Sequence, residues 1–414
     1  MTKIRIVGGG LDGVLAAFEA HRLGFRDIAL HERDDRLGGQ AAPKVDHGVE
    51  ARTVDVRFDG DHDPARERLE AQGIVFDVAE DRCGSVSPAA GGALFVENFA
   101  GPALACRRLA LCEPVGDTLA DRIRAYPSEV QAALSRYAEW RLGDWVDRAH
   151  ASAAAAMGLE RLYPIGADPA VLDELGRATP AYAAFYARPG APAEARAMTA
   201  APRDGFAALF DTCRRRLESL GVAVQTSSLF APAQALAAAA AGEAVVWTPE
   251  PEALFPALDI APPAPARRGR ASYVFKAEFD GPRPFRVANF TAQGVVASLS
   301  IYESRGQTLV AAECIAEAPD AELRREIHRL TAGFGGASPE LGALLAVAVR
   351  SAETASVERV RRIAELQRAL ARRTGPAFIL SRRVPGRRTP DLAALATALE
   401  AARTPAPLRL AAGA

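Results

Sequence analysis

The opening segment restricts the fold more than any other part of this chain. A short, mostly apolar run, Ile4-Arg5-Ile6-Val7, leads directly into Gly8, Gly10 and Gly13 at G-x-G-x-x-G spacing. Such a run predicts a buried parallel strand. Leu11, Val14, Leu15 and Phe18 then recur at helical spacing, and Gly24 marks the helix end. Ile28-Ala29-Leu30 reads as a second strand, with Glu32 just beyond it.

Each part of this strand–turn–helix–strand unit has a mechanical reason. Gly8 permits the tight turn out of the strand. Gly10 lets a pyrophosphate approach the backbone, and Gly13 lets the helix pack closely on the sheet. The helix N-terminus offers unpaired N–H groups and a partial positive charge to phosphate. Glu32 lies 19 residues after Gly13, where a carboxylate can accept hydrogen bonds from ribose hydroxyls and would repel a 2′-phosphate. The unit is predicted to be Rossmann-like and to bind a dinucleotide. A glycine-rich turn without a ligand is the alternative.

The segment continues Glu32-Arg33-Asp34-Asp35-Arg36-Leu37-Gly38-Gly39. With the R-x-G-G run added, it resembles the FAD-binding start of the amine-oxidase superfamily. That group includes monoamine oxidases, protoporphyrinogen oxidases, phytoene desaturases and UDP-galactopyranose mutases. The resemblance implies FAD as cofactor, with Arg36, Gly38 and Gly39 against its pyrophosphate and ribityl chain. It also implies an α/β fold, in which a Rossmann-like FAD-binding domain carries a second, α+β substrate domain with a mostly antiparallel sheet.

Similar pieces recur along the chain. Asp46-His47-Gly48-Val49-Glu50 resembles the strand pair that runs beneath the flavin. Phe58 to Val78 reads as a helix and strand turning at Gly73. Residues 80–200 suggest helices, for example Ser128 to His150 and Pro169 to Leu175. From Asp204 a helix runs to Leu220, followed by a strand at Val222-Ala223-Val224 and another at Ala244 to Thr248. Tyr273 to Phe279, Val295 to Tyr302 and Thr308 to Ala312 read as strands, and Ala321 to Thr331 as a helix. Glu358 to Arg373 is a basic helix, Phe378-Ile379-Leu380 a final strand, and Thr389 the N-cap of a last helix. The expected division is a discontinuous FAD-binding domain at 1–80, 200–262 and 360–414. Residues 81–199 and 263–359 form the substrate domain, with a helical insertion.

Bulk properties narrow the function further. With 414 residues, 49% of them hydrophobic, the chain can bury a large core. A formal net charge of -1, with both signs interspersed, asks for no nucleic acid or membrane-surface partner. The alanine-rich runs are too short to span a bilayer. Five scattered cysteines without a C-x-x-C pair argue for reduced thiols and against a zinc site or disulfide frame. No metal-ligand spacing is present. The expected setting is the cytoplasm, and the expected partner a small-molecule substrate.

Candidate catalytic groups are few, since a flavin itself accepts the hydride. Lys276, the only lysine beyond residue 44, holds a place comparable to the lysine that amine and polyamine oxidases set near the flavin. Its alternative is a solvent-facing strand lysine. His47 lies in the loop expected near the flavin, and surface placement is its alternative. Arg382, in the run Ser381 to Arg388, departs from the glycine usual at that point in the family. It could hold phosphate or belong to a solvated basic loop. The leading reading is an FAD-dependent oxidoreductase acting on a small metabolite. The alternatives are a mutase-like, non-redox flavoenzyme on a nucleotide sugar and a diverged, non-catalytic flavin-fold protein or partner subunit.

Overall fold

The computed structural model describes residues 3–54, 56–60, 62–80, 82–86, 94–96, 116–124, 128–143, 146–153, 198–264, 267–281, 283–332, 338–353, 355–381 and 391–403. A five-stranded parallel sheet forms the first layer. Its order is β10 (Ala223–Gln225), β2 (Ile28–His31), β1 (Ile4–Val7), β11 (Ala244–Trp247) and β17 (Phe378–Leu380). Numbered along the chain this is 3-2-1-4-5, a doubly wound order whose direction reverses between β1 and β11. Ligands of such sheets bind outside the carboxyl ends of the strands at that switch point.

Alternation along β1 assigns the two faces. Ile4 and Ile6 pack with α1 (Leu11–Arg22), α5 (Gly205–Ser219) and α9 (Leu392–Arg403) through Phe18, Phe206, Leu209 and Leu395. Val7, Val245 and Trp247 face α6 (Pro232–Ala240) and α8 (Val357–Thr374) through Leu236, Leu366 and Leu370. Helix α1 is buried from Leu11 to Ala20, because α9, α2 (Pro64–Glu70) and α5 also pack on it. Its buried Glu19 is neutralised by Arg22 and by Arg68, at 3.0 Å. The last helix is capped two residues later than the sequence suggests: the Asp391 carboxylate accepts the Ala394 N–H at 3.0 Å. Thr389 and Pro390 lie outside the described residues.

The second layer is a seven-stranded sheet. Its order is β16 (Glu340–Glu353), β12 (Arg267–Glu278), β15 (Gln307–Cys314), β14 (Val296–Ser304), β13 (Phe285–Asn289), β7 (Arg82–Val86) and β8 (Leu94–Val96). All its pairings are antiparallel except β13 with β7. Two of these strands, β7 and β8, lie in the stretch the sequence suggests to be helical. Of that stretch the described residues also include α3 (Leu119–Arg124) and α4 (Ser128–Leu142), which ends eight residues before His150. Helix α7 (Asp320–Thr331) covers one face, packing Leu323, Ile327 and Leu330 on Tyr273, Phe275, Leu299 and Ile301. Burying side chains such as Phe275 stabilises by about 1.5–3 kcal/mol each.

The opposite face turns toward the first domain. There Val274, Tyr302, Leu309 and Ala346 pack on Ala51 of β4 (Val49–Ala51), which pairs with β3 (Lys44–Asp46). A small antiparallel sheet of β5 (Phe58–Asp59), β9 (Met198–Pro202) and β6 (Phe76–Glu80) completes the described strands.

Candidate functional site

The glycine loops meet at the switch point. Gly8 leaves β1 at φ +93°, and the Thr248 hydroxyl, donating to Val7 O at 2.8 Å, occupies the space a side chain would need. Gly13 is closed from the other side, since a Cβ there would stand 1.8 Å from Gly8 O. Gly10 differs. A Cβ at Gly10 would meet nothing nearer than Gly38 O at 3.9 Å, so the space beside it is open. Gly10 is also the N-cap of α1 and supplies no side-chain cap, leaving the first-turn N–H groups without a side-chain acceptor.

The R-x-G-G loop closes on this opening. Gly38 N–H donates to Gly9 O at 2.9 Å, and Gly38 forms a parallel bridge with Gly10. Gly38 has φ +122°, and Phe210 and Ala42 leave no room there for a side chain. A Cβ on Gly39 would lie 3.3 Å from Gly10 Cα. Three glycine backbones therefore line an open space at a helix N-terminus, a shape and polarity that suit a pyrophosphate. Arg36 is exposed on the same loop.

Glu32 is buried behind the turn, with one carboxylate oxygen accepting Gly9 N–H at 2.5 Å and the other Asp34 N–H at 2.8 Å. A carboxylate has about four lone-pair sites, so acceptor capacity remains for ribose hydroxyls. Beside it His31 is buried, stacked on Phe230 with ring centroids 4.5 Å apart. Burial, and then the Arg5 charge, hold its pKa below the ordinary histidine value.

The other candidates fall elsewhere. Lys276 is half-buried on the inner sheet face, opposite Leu309 in register, with no hydrogen bond or ion pair among the described residues. Tyr273, Phe275 and Phe279 face the other way, into the α7 core. His47 stands at the tip of the β3–β4 hairpin with its imidazole 91% exposed and Asp46 3.7 Å away. Arg382 lies outside the described residues. Cys213 and Cys314 are buried free thiols pushed up to about 12, which makes neither a ready nucleophile.

Some residues near the site escape a sequence reading. Glu50 is buried and accepts Phe206 N–H at 2.7 Å and Ala207 N–H at 2.8 Å, capping α5 from β4. Arg52 lies 3.8 Å over the Tyr302 ring and 5.5 Å over that of Phe206. Arg141, Arg270 and Arg350 gather around Glu313 on the inner sheet face. The one available signal was the strand period that puts Arg270 on the face of Lys276.

No helix among the described residues is long and apolar enough to cross a membrane, and no group of potential metal ligands occurs among them.

Geometry and comparison agree on the fold: a Rossmann-like first domain with a second domain built on a mostly antiparallel sheet. Residues 6–69 match the NAD(P)-binding Rossmann-like domain family. Over 39 residues the chain is 51% identical to tryptophan 2-monooxygenase of Pantoea agglomerans pv. gypsophilae, a match covering 9% of this chain and 7% of that protein. Three solved structures are similar over nearly the whole chain. A reduced UDP-galactopyranose mutase superposes with a TM-score of 0.65 at 14% identity, covering 97% of this chain and 95% of its own. A proposed protoporphyrinogen oxidase from Exiguobacterium sp. 255-15 gives 0.59 at 14% identity, covering 97% of each. Cyclohexylamine oxidase from Brevibacterium oxydans IH-35A gives 0.53 at 12% identity, covering 97% and 98%. The likeness to these structures is one of fold over nearly the whole chain, and the likeness of sequence is confined to its opening part.

Proposed function

We propose that this chain is an FAD-dependent oxidoreductase acting on a small metabolite. The observation that carries the reading is the open space bounded by Gly10, Gly38 and Gly39 at the uncapped N-terminus of α1, with buried Glu32 behind it. In that arrangement the first-turn N–H groups and Arg36 hold the diphosphate, and Glu32 holds the adenosine ribose. Bound FAD would supply the two-electron acceptor. Lys276 is the polar side chain proposed for the reacting end, supported by its place on the inner sheet face beside Leu309. The buried free thiols suit a reducing compartment such as the cytoplasm.

The test is the absorbance spectrum of the purified protein, followed by release and identification of the cofactor and by anaerobic mixing with candidate metabolites. The expected result is non-covalent FAD that substrate bleaches. Turnover confined to pre-reduced protein, with substrate leaving the flavin reduced, would replace this reading by the mutase-like one. A colourless protein that takes up no FAD would replace it by the non-catalytic one.

A further inference from the structure

The inner sheet face is unusually rich in guanidinium groups. Arg270 of β12 and Arg350 of β16 are direct partners in the antiparallel ladder. Like charges placed opposite each other destabilise a sheet. Arg270 Nη1 donates to Glu313 Oε1 at 2.9 Å, and Ser298 Oγ donates to the other carboxylate oxygen at 3.2 Å. Arg350 donates to Thr53 O and lies within the field of Glu313.

Helix α4 adds a third cation. Arg141 is 5% exposed, with Nη2 3.7 Å from the same Glu313 oxygen, beyond hydrogen-bonding distance. Its Nε and Nη1 are buried without an acceptor. The orphaned Nη1 is a terminal nitrogen, placed to grip an anion through the end of the guanidinium. Burial, and then Arg141 itself, depress the Arg270 pKa, as expected for cations crowded without enough counter-charge. A guanidinium serving as a strut would have acceptors on its buried donors.

We propose that Arg141, Arg270 and Arg350, around Glu313, form an anion-binding site that takes a carboxylate or phosphate group of the substrate. Arginine suits either group, because its planar donors match their oxygens. The site lies on the face that packs, through Val274 and Tyr302, on Ala51 of the first domain. Arg270 and Lys276 share that face, six residues or roughly 20 Å apart along β12. The term substrate rests on the flavoenzyme reading; the anion site itself does not.

The protein as purified is titrated calorimetrically with sodium benzoate and, separately, with inorganic phosphate, at an ionic strength held constant with chloride. Binding of at least one probe is expected, with affinity reduced at least about tenfold by Arg141→Met, as for loss of a charge-assisted hydrogen bond. Arg350→Met, on the edge strand, gives a second variant should Arg141→Met fold poorly. Benzoate binding alone assigns a carboxylate, and phosphate binding alone a phosphate ester. No heat with either probe, or wild-type affinity in both variants, overturns the proposal. A protein without FAD that still binds a probe through Arg141 would keep the site and sink the flavoenzyme reading. FAD bound with no probe binding would do the reverse.

Discussion

Glu32 accepts the backbone N–H of Gly9 at 2.5 Å, so the residue assigned to the ribose also holds the glycine turn in shape. Replacing it therefore has two effects. In Glu32→Ala the Gly9 and Asp34 N–H groups lose their acceptor, at about 1–3 kcal/mol for a buried donor. Glu32→Gln keeps an acceptor oxygen and loses the charge. Both variants should bind FAD more weakly, and the alanine variant should also melt lower without FAD. Equal melting temperatures for Glu32→Ala and wild type would show that the carboxylate does not support the turn.

Two glycines three residues apart should respond in opposite ways. Gly10 has φ -67°, which alanine adopts freely, and open space where a Cβ would go. Gly10→Ala should leave apoprotein stability within about 0.5 kcal/mol of wild type. FAD affinity should nonetheless drop at least about tenfold, because the methyl group occupies the path of the pyrophosphate. At Gly13 a Cβ would lie 1.8 Å from Gly8 O, so Gly13→Ala should destabilise by about 1–3 kcal/mol or more with or without cofactor. Denaturant melts of the two apoproteins, paired with FAD titrations, check both. Unchanged FAD affinity in Gly10→Ala would remove the diphosphate from that space.

Glu50 ties the strand after the cofactor loops to the start of α5. Glu50→Ala should orphan the Phe206 and Ala207 N–H groups and lower stability by about 1–3 kcal/mol for each that stays buried. Glu50→Gln should recover part of the loss, because its amide oxygen can accept one of the two. A melt in which the alanine and glutamine variants coincide would show that capping is not the role of this side chain.

His31 should shape the acid limb of stability. Its folded pKa lies below the ordinary 6.5, from burial first and then Arg5. Well above pH ~6.5 neither folded nor unfolded chain is protonated there, and the group contributes nothing. As pH falls through that value the unfolded chain takes up the proton and the folded chain does not. Stability is then lost until the folded pKa is reached. His31→Gln should flatten the fall in urea midpoint between about pH 7.5 and about pH 5.5. A residual slope is expected from His21, whose pKa is lowered by burial and by Arg26 and Arg216. An identical slope in variant and wild type would exclude His31 as its source.

The residues legible in the sequence are those whose partners lie close along the chain. Gly8, Gly10, Gly13 and Glu32 fall within one strand–helix–strand unit, and their spacing alone implies the turn that the structure contains. Alternation along β12 likewise separates Lys276 from Tyr273 and Phe275, which lie on the α7 face. The long strand β16 was legible in principle from Val347 and Val349, but three adjacent positions around Leu344 blur its period. The register shifts there, between Val274 and Ala277 of the partner strand. His47 is the opposite case. The motif around it suggested proximity to the flavin, whereas the hairpin turns its side chain outward at φ 45°.

By itself the sequence determined the cofactor turn, the parallel strands and the order in which they come, because hydrophobic period and glycine spacing act over a few residues. Only the tertiary structure decided which charges meet. Glu50 caps a helix that starts 156 positions away, and Arg141 of α4 comes within 3.7 Å of the Glu313 carboxylate of β15. A period-2 or period-3.6 pattern states which face a residue occupies but not what that face will oppose. The opposing partner is set by packing of whole layers, and it is there that buried charges are either matched or left, like Arg141, without an acceptor.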